Sequence, residues 1–322
     1  MTAALDVVVV NWNAGAQLRR CLDSLAETGR VGFELARVVV VDNDSRDGSA
    51  EGLEYPGMPL AVVRNPRNEG FAVACNRGAS GSRADYIMFL NPDTELFPDS
   101  IARPVAFMER PESRGIGIAG IQLVDGRGAV SRSCARFPSL AQCVSRALGL
   151  ARVSRRLFPS YIMSEWDHGS TREVDHVSGA FYLVRRTLFE ALGGFDERFF
   201  VYLEDLDFSY RASLAGWKSA YCAEARAFHK GGGVSERAKA TRLFYSLSSR
   251  LLYALKHFSR ADAAALVLVT IVPEPFVRLC SSAAGGSGVG VAATARAYGM
   301  LYRALPRLLK GLRTNGEDRR TE

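Results

Sequence analysis

The apolar positions of this chain switch repeatedly between two spacings. Residues 7–10 are an unbroken valine run, the pattern of a strand buried on both faces. Leu18, Cys21, Leu22 and Leu25 follow at i, i+3, i+4 and i+7, which predicts an amphipathic helix. Residues 38–41, 60–63 and 86–90 read as further buried strands, with short helical stretches expected over 48–53 and 71–79. Strands and helices alternating at this interval imply βαβ units and a mostly parallel, Rossmann-like α/β sheet with helices on both faces. Ligands of such sheets bind beyond the carboxyl ends of the strands. Polar clusters stand at those ends: Asn11-Trp12-Asn13, Asp42-Asn43-Asp44-Ser45 and Asn91-Pro92-Asp93.

The middle of the chain is less regular. Residues 116–123 and 177–184 read as strands, while 134–159 is ambiguous between helix and strand. A helix carrying Leu206, Tyr210 and Leu214 on one face is expected to stop at Gly216. Beyond the glycines at 231–233 the chain turns helical and arginine-rich.

Composition narrows the partners. Of 322 residues, 48% are hydrophobic, enough for a sizeable core. The net charge is +7, and 36 of the 41 basic side chains are arginine. That bias fits coding composition or affinity for anions such as nucleotide diphosphates and lipid headgroups. No zinc finger, RNA-recognition signature or aromatic-interleaved basic groove points to nucleic acid. The six scattered cysteines contain no C-x-x-C pair and fit a reducing compartment. No basic leader precedes the first strand, so a cytoplasmic protein is expected.

Several carboxylates are placed for chemistry. Asp93 follows an apolar strand across Asn91-Pro92, where a hard cation could take it together with substrate phosphates. The same tripeptide also suits an ordinary turn. Asp42 opens a run of short acceptors able to meet a ribose or nucleobase edge, or equally to form Asx-turns and an N-cap. Glu204-Asp205-Leu206-Asp207 falls in the first turn of a predicted helix, where the helix dipole favours ionised carboxylates. The aromatic residues 199–202 ahead of it suit the lining of a cleft. His229 reads either as a metal ligand or as a structural histidine; His168, His176 and His257 show no partner pattern. Gly115 to Gly120 matches G-x-G-x-x-G literally, but its isoleucines lie inside a strand-like run, so it is not a dinucleotide loop.

Taken in order, five blocks resemble glycosyltransferase family 2, in particular its rhamnosyltransferase-like branch. They are Val8-Val9-Val10-Asn11-Trp12-Asn13, residues 41–49, Asn68-Glu69-Gly70-Phe71-Ala72 with Asn76-Arg77-Gly78, residues 90–94, and Gly193-Gly194-Phe195-Asp196-Glu197 through Glu204-Asp205-Leu206-Asp207 to Arg211, Gly216-Trp217 and His229. The resemblance implies an A-type glycosyltransferase fold with a C-terminal helical extension. It implies a nucleotide-sugar-binding half over 1–100, an acceptor-binding and catalytic half over 101–235, and a basic, membrane-associated extension over 236–322. Asn11, Trp12, Asn13, Asp42, Asn43, Gly70, Asn76, Asn91 and Asp93 would line the nucleotide-sugar site. Asp93, with His229 as a further ligand, would hold Mg²⁺ or Mn²⁺. Asp205 would be the catalytic base with Glu204 beside it. One departure is that Asn91 replaces the first aspartate of the family's D-x-D element. The branch implies an inverting transfer, L-rhamnose from dTDP-rhamnose, a lipid-linked acceptor in cell-wall or surface-polysaccharide synthesis, and a place on the inner face of the cell membrane.

The C-terminal third bears on the membrane directly. Residues 263–272 are apolar but about half the ~20 residues of a spanning helix, and Pro273 and Pro275 are expected to end them. Leu301, Leu305, Leu308 and Leu312 line one helical face, opposite Arg303, Arg307 and Lys310. Such a helix suits a membrane interface or packing on the protein. Two rival functions remain on residues alone: a non-catalytic nucleotide-sugar-binding module on a membrane, and a sugar nucleotidyltransferase, which usually carries a glycine-rich loop after its first strand.

Overall fold

The computed structural model describes residues 2–154, 156–231, 239–284 and 289–310. The strands are β1 (Ala3–Asn11), β2 (Phe33–Asp42), β3 (Leu60–Arg64), β4 (Tyr86–Leu90), β5 (Thr94–Leu96), β6 (Ile116–Val124), β7 (Cys134–Ala135), β8 (Arg172–Val174), β9 (His176–Val177), β10 (Phe181–Arg185) and β11 (Lys218–His229). The helices are α1 (Ala16–Glu27), α2 (Phe71–Ala79), α3 (Ala102–Met108), α4 (Leu140–Ala147), α5 (Arg186–Ala191), α6 (Glu204–Leu214), α7 (Lys239–His257), α8 (Arg260–Ile271), α9 (Pro273–Ala283) and α10 (Val291–Lys310). The chain forms two compact units. The first comprises Met1–Phe137, Ile162–Phe200 and Glu204–Val234; the second comprises Pro138–Tyr161, Val201–Leu203 and Ser235–Glu322.

The first unit is built on one sheet of order β3-β2-β1-β4-β10-β6-β11-β5, with β8 pairing off β11. β3, β2, β1 and β4 run parallel. β10 runs antiparallel to both β4 and β6, so the second half of the sheet is mixed. Strands from both 1–100 and 101–235 therefore lie in one sheet, while residues 138–161 and 201–203 belong to the second unit. The two-residue period of β1 sends its side chains to opposite layers. Leu5, Val7 and Val9 join Leu18, Cys21, Leu22 and Leu25 of α1 on one face. Val8 and Val10 meet Ala72 and Cys75 of α2 and a cluster of Phe189, Phe195 and Phe208 on the other.

Three local expectations change. The helix expected over 48–53 is a series of turns: Gly48 and Gly52 take left-handed φ of 71° and 57°, and the Asp47 carboxylate binds the Ser49 amide and hydroxyl. The strand expected over 177–184 is broken into β9 and β10, because the Gly179 amide leaves the ladder for the Asp205 carboxylate, 2.8 Å away. On α6 the buried face is Leu206, Phe208 and Ala212, and Leu214 is 70% exposed. The glycines at 117 and 120 lie inside β6. A Cβ at either would strike Leu188 or Val177 within 2.6 Å, so they serve close packing.

The second unit packs α4 and α7 to α10 around Leu247, Leu251, Leu266 and Leu301. Leu305 and Leu308 pack against that core, Arg303, Arg307 and Lys310 are exposed, and Leu312 lies outside the described residues. The prolines at 273 and 275 do not end the apolar run. Pro273 occupies the first turn of α9, where its missing N–H costs no hydrogen bond, and helix resumes directly. The segment Arg260–Ala283 is thus long and apolar enough to cross a membrane by length and composition, with 28% of its most apolar window buried. Glu274, fully buried, sits within it, paired with Arg250 and with Arg278 at 2.8 Å. Removing one partner of such a buried pair typically costs ~3–5 kcal/mol, because the other charge stays behind unpaired.

Candidate active site

The parallel register puts the ends of the strands side by side. Asn11 at the end of β1 pairs with Asp42 at the end of β2, and Asp42 pairs with Arg64 of β3. The fully buried Asn11 amide donates to Asp42 Oδ1 at 2.9 Å and to the Ser45 and Ser49 hydroxyls at 3.0 and 2.9 Å. Arg64 approaches the other Asp42 oxygen at 3.5 Å. Asn43, also buried, donates to Asn68 and to the Gly70 carbonyl and accepts from Asn65 and the Glu69 amide. Asn11 and Asn43 are therefore the ties of this corner. Trp12, 39% exposed, and Asn13, at φ 51°, form its open rim.

Gly70 is required where it stands. Its φ is 93°, and a Cβ would lie 2.6 Å from the Phe200 carbonyl oxygen. Phe199 is fully buried, so of the aromatic run it anchors the core and does not line a cleft. Asn76 turns inward: its amide donates to the Phe195 carbonyl and Glu197, and its oxygen accepts the Phe195 amide. It pins the 194–197 loop with the groups that would otherwise meet a ligand.

β4 and β5 flank Asn91-Pro92-Asp93, and β11 returns antiparallel to β5 with His229 opposite Thr94. This brings His229 Nε2 to 3.3 Å from Asp93 Oδ1. One carboxylate and one imidazole fit a divalent cation that draws its remaining ligands from phosphate and water. Among the described residues, no group of three His, Cys, Asp or Glu side chains forms a denser metal cluster. The Asn91 backbone amide donates to the Ala180 carbonyl at 3.0 Å, stitching this turn to the break between β9 and β10.

That break carries Gly179, and Gly179 carries Asp205. Asp205 Oδ2 accepts the Gly179 amide at 2.8 Å, and Oδ1 accepts the Leu206 amide at 2.8 Å. His176 Nε2 stands 3.6 Å from Oδ2, an electrostatic contact just beyond hydrogen-bond length. A carboxylate has about four lone-pair sites, so these contacts leave acceptor capacity unfilled on a side chain 18% exposed. Tyr202 and Leu203, directly before α6, take left-handed φ of 70° and 66°, a strain of the kind that concentrates at functional sites. Glu204 is buried, and its Oε2 has no hydrogen-bond partner. Burial, reinforced by the Asp205 charge, pushes its carboxyl well above the usual range. The two adjacent acids therefore differ: Asp205 is fixed by amide donors, and Glu204 is buried with its carboxyl shifted upward. His176 had no signal in the chain order, because its partner lies across the fold on α6.

A Rossmann-like sheet with polar side chains gathered at its strand ends and a carboxylate held at a helix start fits an A-type glycosyltransferase. The chain belongs to glycosyltransferase family 2: the model for glycosyl transferase family 2 matches residues 6–134, and that for glycosyl transferase family group 2 matches residues 86–260. It is 32% identical to the N-acetylglucosaminyl-diphospho-decaprenol L-rhamnosyltransferase of Mycobacterium tuberculosis over 258 residues, 76% of this chain and 81% of the relative. To rhamnosyltransferase WbbL of Escherichia coli it is 32% identical over 148 residues, 45% of this chain and 52% of the relative. The mannosyltransferase PcManGT from Pyrobaculum calidifontis, solved with GDP-Man and Mn²⁺, shares the fold with a TM-score of 0.53 at 19% identity, covering 97% of this chain and 84% of that one.

Proposed function

We propose that this glycosyltransferase moves L-rhamnose from dTDP-rhamnose, with inversion, to a hydroxyl of a lipid-linked saccharide in cell-envelope polysaccharide synthesis. The observation that carries the reading is the Asp205 carboxylate, held by the Gly179 and Leu206 amides with a lone pair to spare. A base for this reaction must stand ionised within hydrogen-bond reach of the acceptor hydroxyl. Asp205 takes the acceptor's proton while the acceptor oxygen forms a bond to the anomeric carbon. The bond from that carbon to the diphosphate breaks, and the electron pair leaves with the nucleoside diphosphate.

Residues 1–100 hold the nucleotide in this reading, with Asp42 at the nucleobase and Trp12 at the rim, and residues 101–235 supply the base and the acceptor side. Asp93 and His229 would hold Mg²⁺ or Mn²⁺, which supplies positive charge against the departing diphosphate. The sugar and the lipid-linked acceptor are supported by the M. tuberculosis relative, an L-rhamnosyltransferase named for a diphospho-decaprenol acceptor, and the dTDP carrier by the family resemblance. Contact with a membrane is supported by Leu268, Val272 and Phe276 of the second unit, 59%, 49% and 69% exposed.

The test is a panel of nucleotide-sugars with Mg²⁺ or Mn²⁺, scored by thermal stabilisation of the protein and by transfer to a polyprenyl-diphosphate N-acetylglucosamine acceptor in vesicles. Stabilisation and transfer with dTDP-rhamnose alone is the expected result. Preference for another nucleotide-sugar would overturn the donor, and transfer to soluble saccharides only would overturn the lipid-linked acceptor.

A further inference from the structure

Beneath Asp205 lies a ring of buried polar groups drawn from three elements. His176 at the start of β9 directs Nε2 at Asp205 Oδ2, 3.6 Å away, and its Nδ1 lies 3.0 Å from the Ser209 hydroxyl. Ser209, one helical turn after Asp205 on α6, is 2.9 Å from the Tyr182 hydroxyl of β10. The Tyr182 hydroxyl also lies 3.4 Å from the Asp205 carbonyl, and its single hydrogen serves either that oxygen or Ser209. His176, Ser209 and Tyr182 are 7%, 1% and 0% exposed, against a largely apolar layer that includes Phe195, Phe208 and Val177. Buried polar networks are costly unless fully satisfied, and packing alone would be served by apolar residues here.

The ring has a direction. A carboxylate accepts only, so the imidazole nitrogen facing it must bear the hydrogen, and Nδ1 must accept from Ser209. Burial holds the His176 pKa below its ordinary value, so the ring carries a single N–H near neutrality. We infer that His176 is a positioning residue for Asp205: its Nε2–H steadies the Oδ2 edge of the carboxylate, and Tyr182 and Ser209 hold the imidazole in the tautomer that allows this. The 3.6 Å separation shortens to a hydrogen bond in the working complex, as contacts of catalytic groups commonly do.

The inference rests on Asp205 being the base, so the experiment carries a control for that reading. Steady-state transfer and thermal melting are measured for wild type, H176F, H176Q, S209A and D205N. H176F fills the ring's space without a donor, and H176Q restores an N–H. The expected outcome is a kcat lowered about tenfold to a hundredfold in H176F with KM for the nucleotide-sugar unchanged, and recovery to within about threefold in H176Q. S209A, which frees the tautomer, is expected to lower kcat about threefold. Wild-type kcat in H176F, or equal losses in H176F and H176Q, overturns the inference while an inactive D205N leaves the base intact. An active D205N overturns both. If H176F does not fold, S209A decides: unchanged kcat there overturns the inference.

Discussion

Asp93 and His229 stand 3.3 Å apart; Asp205 and His176 stand 3.6 Å apart. The two pairs are the same chemistry in different frames. The first sits on two antiparallel strands, β5 and β11, whose ladder sets the separation of its members. Among the described residues the His229 ring has no second hydrogen-bond partner, which leaves it free to accept a ligand. The second pair joins a helix start to a broken strand, and the other His176 nitrogen is closed off by Ser209. An aspartate–histidine pair is thus not a role in itself. In the proposed reading, what the far side of the imidazole touches sets the pair holding a cation apart from the pair bracing a base.

The sharpest way to separate the pairs is to neutralise each carboxylate. D205N is expected to lower transfer about 10³-fold while nucleotide-sugar still stabilises the protein, measured by single-turnover transfer beside thermal shift. D93A is expected to lose about 10²-fold to 10³-fold in transfer together with the metal-dependent part of that stabilisation. A D93A protein with intact metal-dependent stabilisation would erase the contrast between the pairs.

Crowding tests the brace without changing charge. A Cβ at Gly179 would lie 2.7 Å from Asp205 Oδ2, so G179A must displace the carboxylate or its own backbone. About a hundredfold loss of kcat is expected with little change in donor KM, since small misplacements of a reacting group are costly.

The smallest effect is expected next door. Because burial pushes the Glu204 carboxyl toward its neutral form, E204Q should keep transfer within about threefold. Its stability should change more than its activity. Glu204 contributes fully only below its ordinary value of 4.5, where it is protonated folded and unfolded alike. That contribution falls away as pH rises from there toward its higher folded value. The melting temperature of E204Q should therefore gain on wild type from pH 5 to pH 8. A constant gap would mean that Glu204 titrates normally.

Elements with a strong period were legible in the chain order. The runs at 71–79 and 86–90 match α2 and β4 residue for residue, and all four spaced residues of α1 are buried. The glycines of 115–120 were readable as strand because isoleucines alternate with them. What escaped was long-range. The break between β9 and β10 is set by a carboxylate 26 residues downstream, and no local pattern announces it. His176 escaped for the same reason. Asn11 and Asn43 carried the right address, but only the structure separates a buried tie from an open rim such as Trp12. The apolar run after residue 260 looked too short because proline was read as a stop, while at the first turn of α9 it is a start.

The bond from Gly179 to Asp205 also bears on recombination among relatives. The geometry of α6 is written in two places, the helix and the 176–180 segment that receives the Asp205 carboxylate. A chimera joined between residues 180 and 204 would inherit each half from a different parent. Transplanting the acidic turn alone would move the residues without their alignment, so an exchange block should run unbroken from 176 through the end of α6.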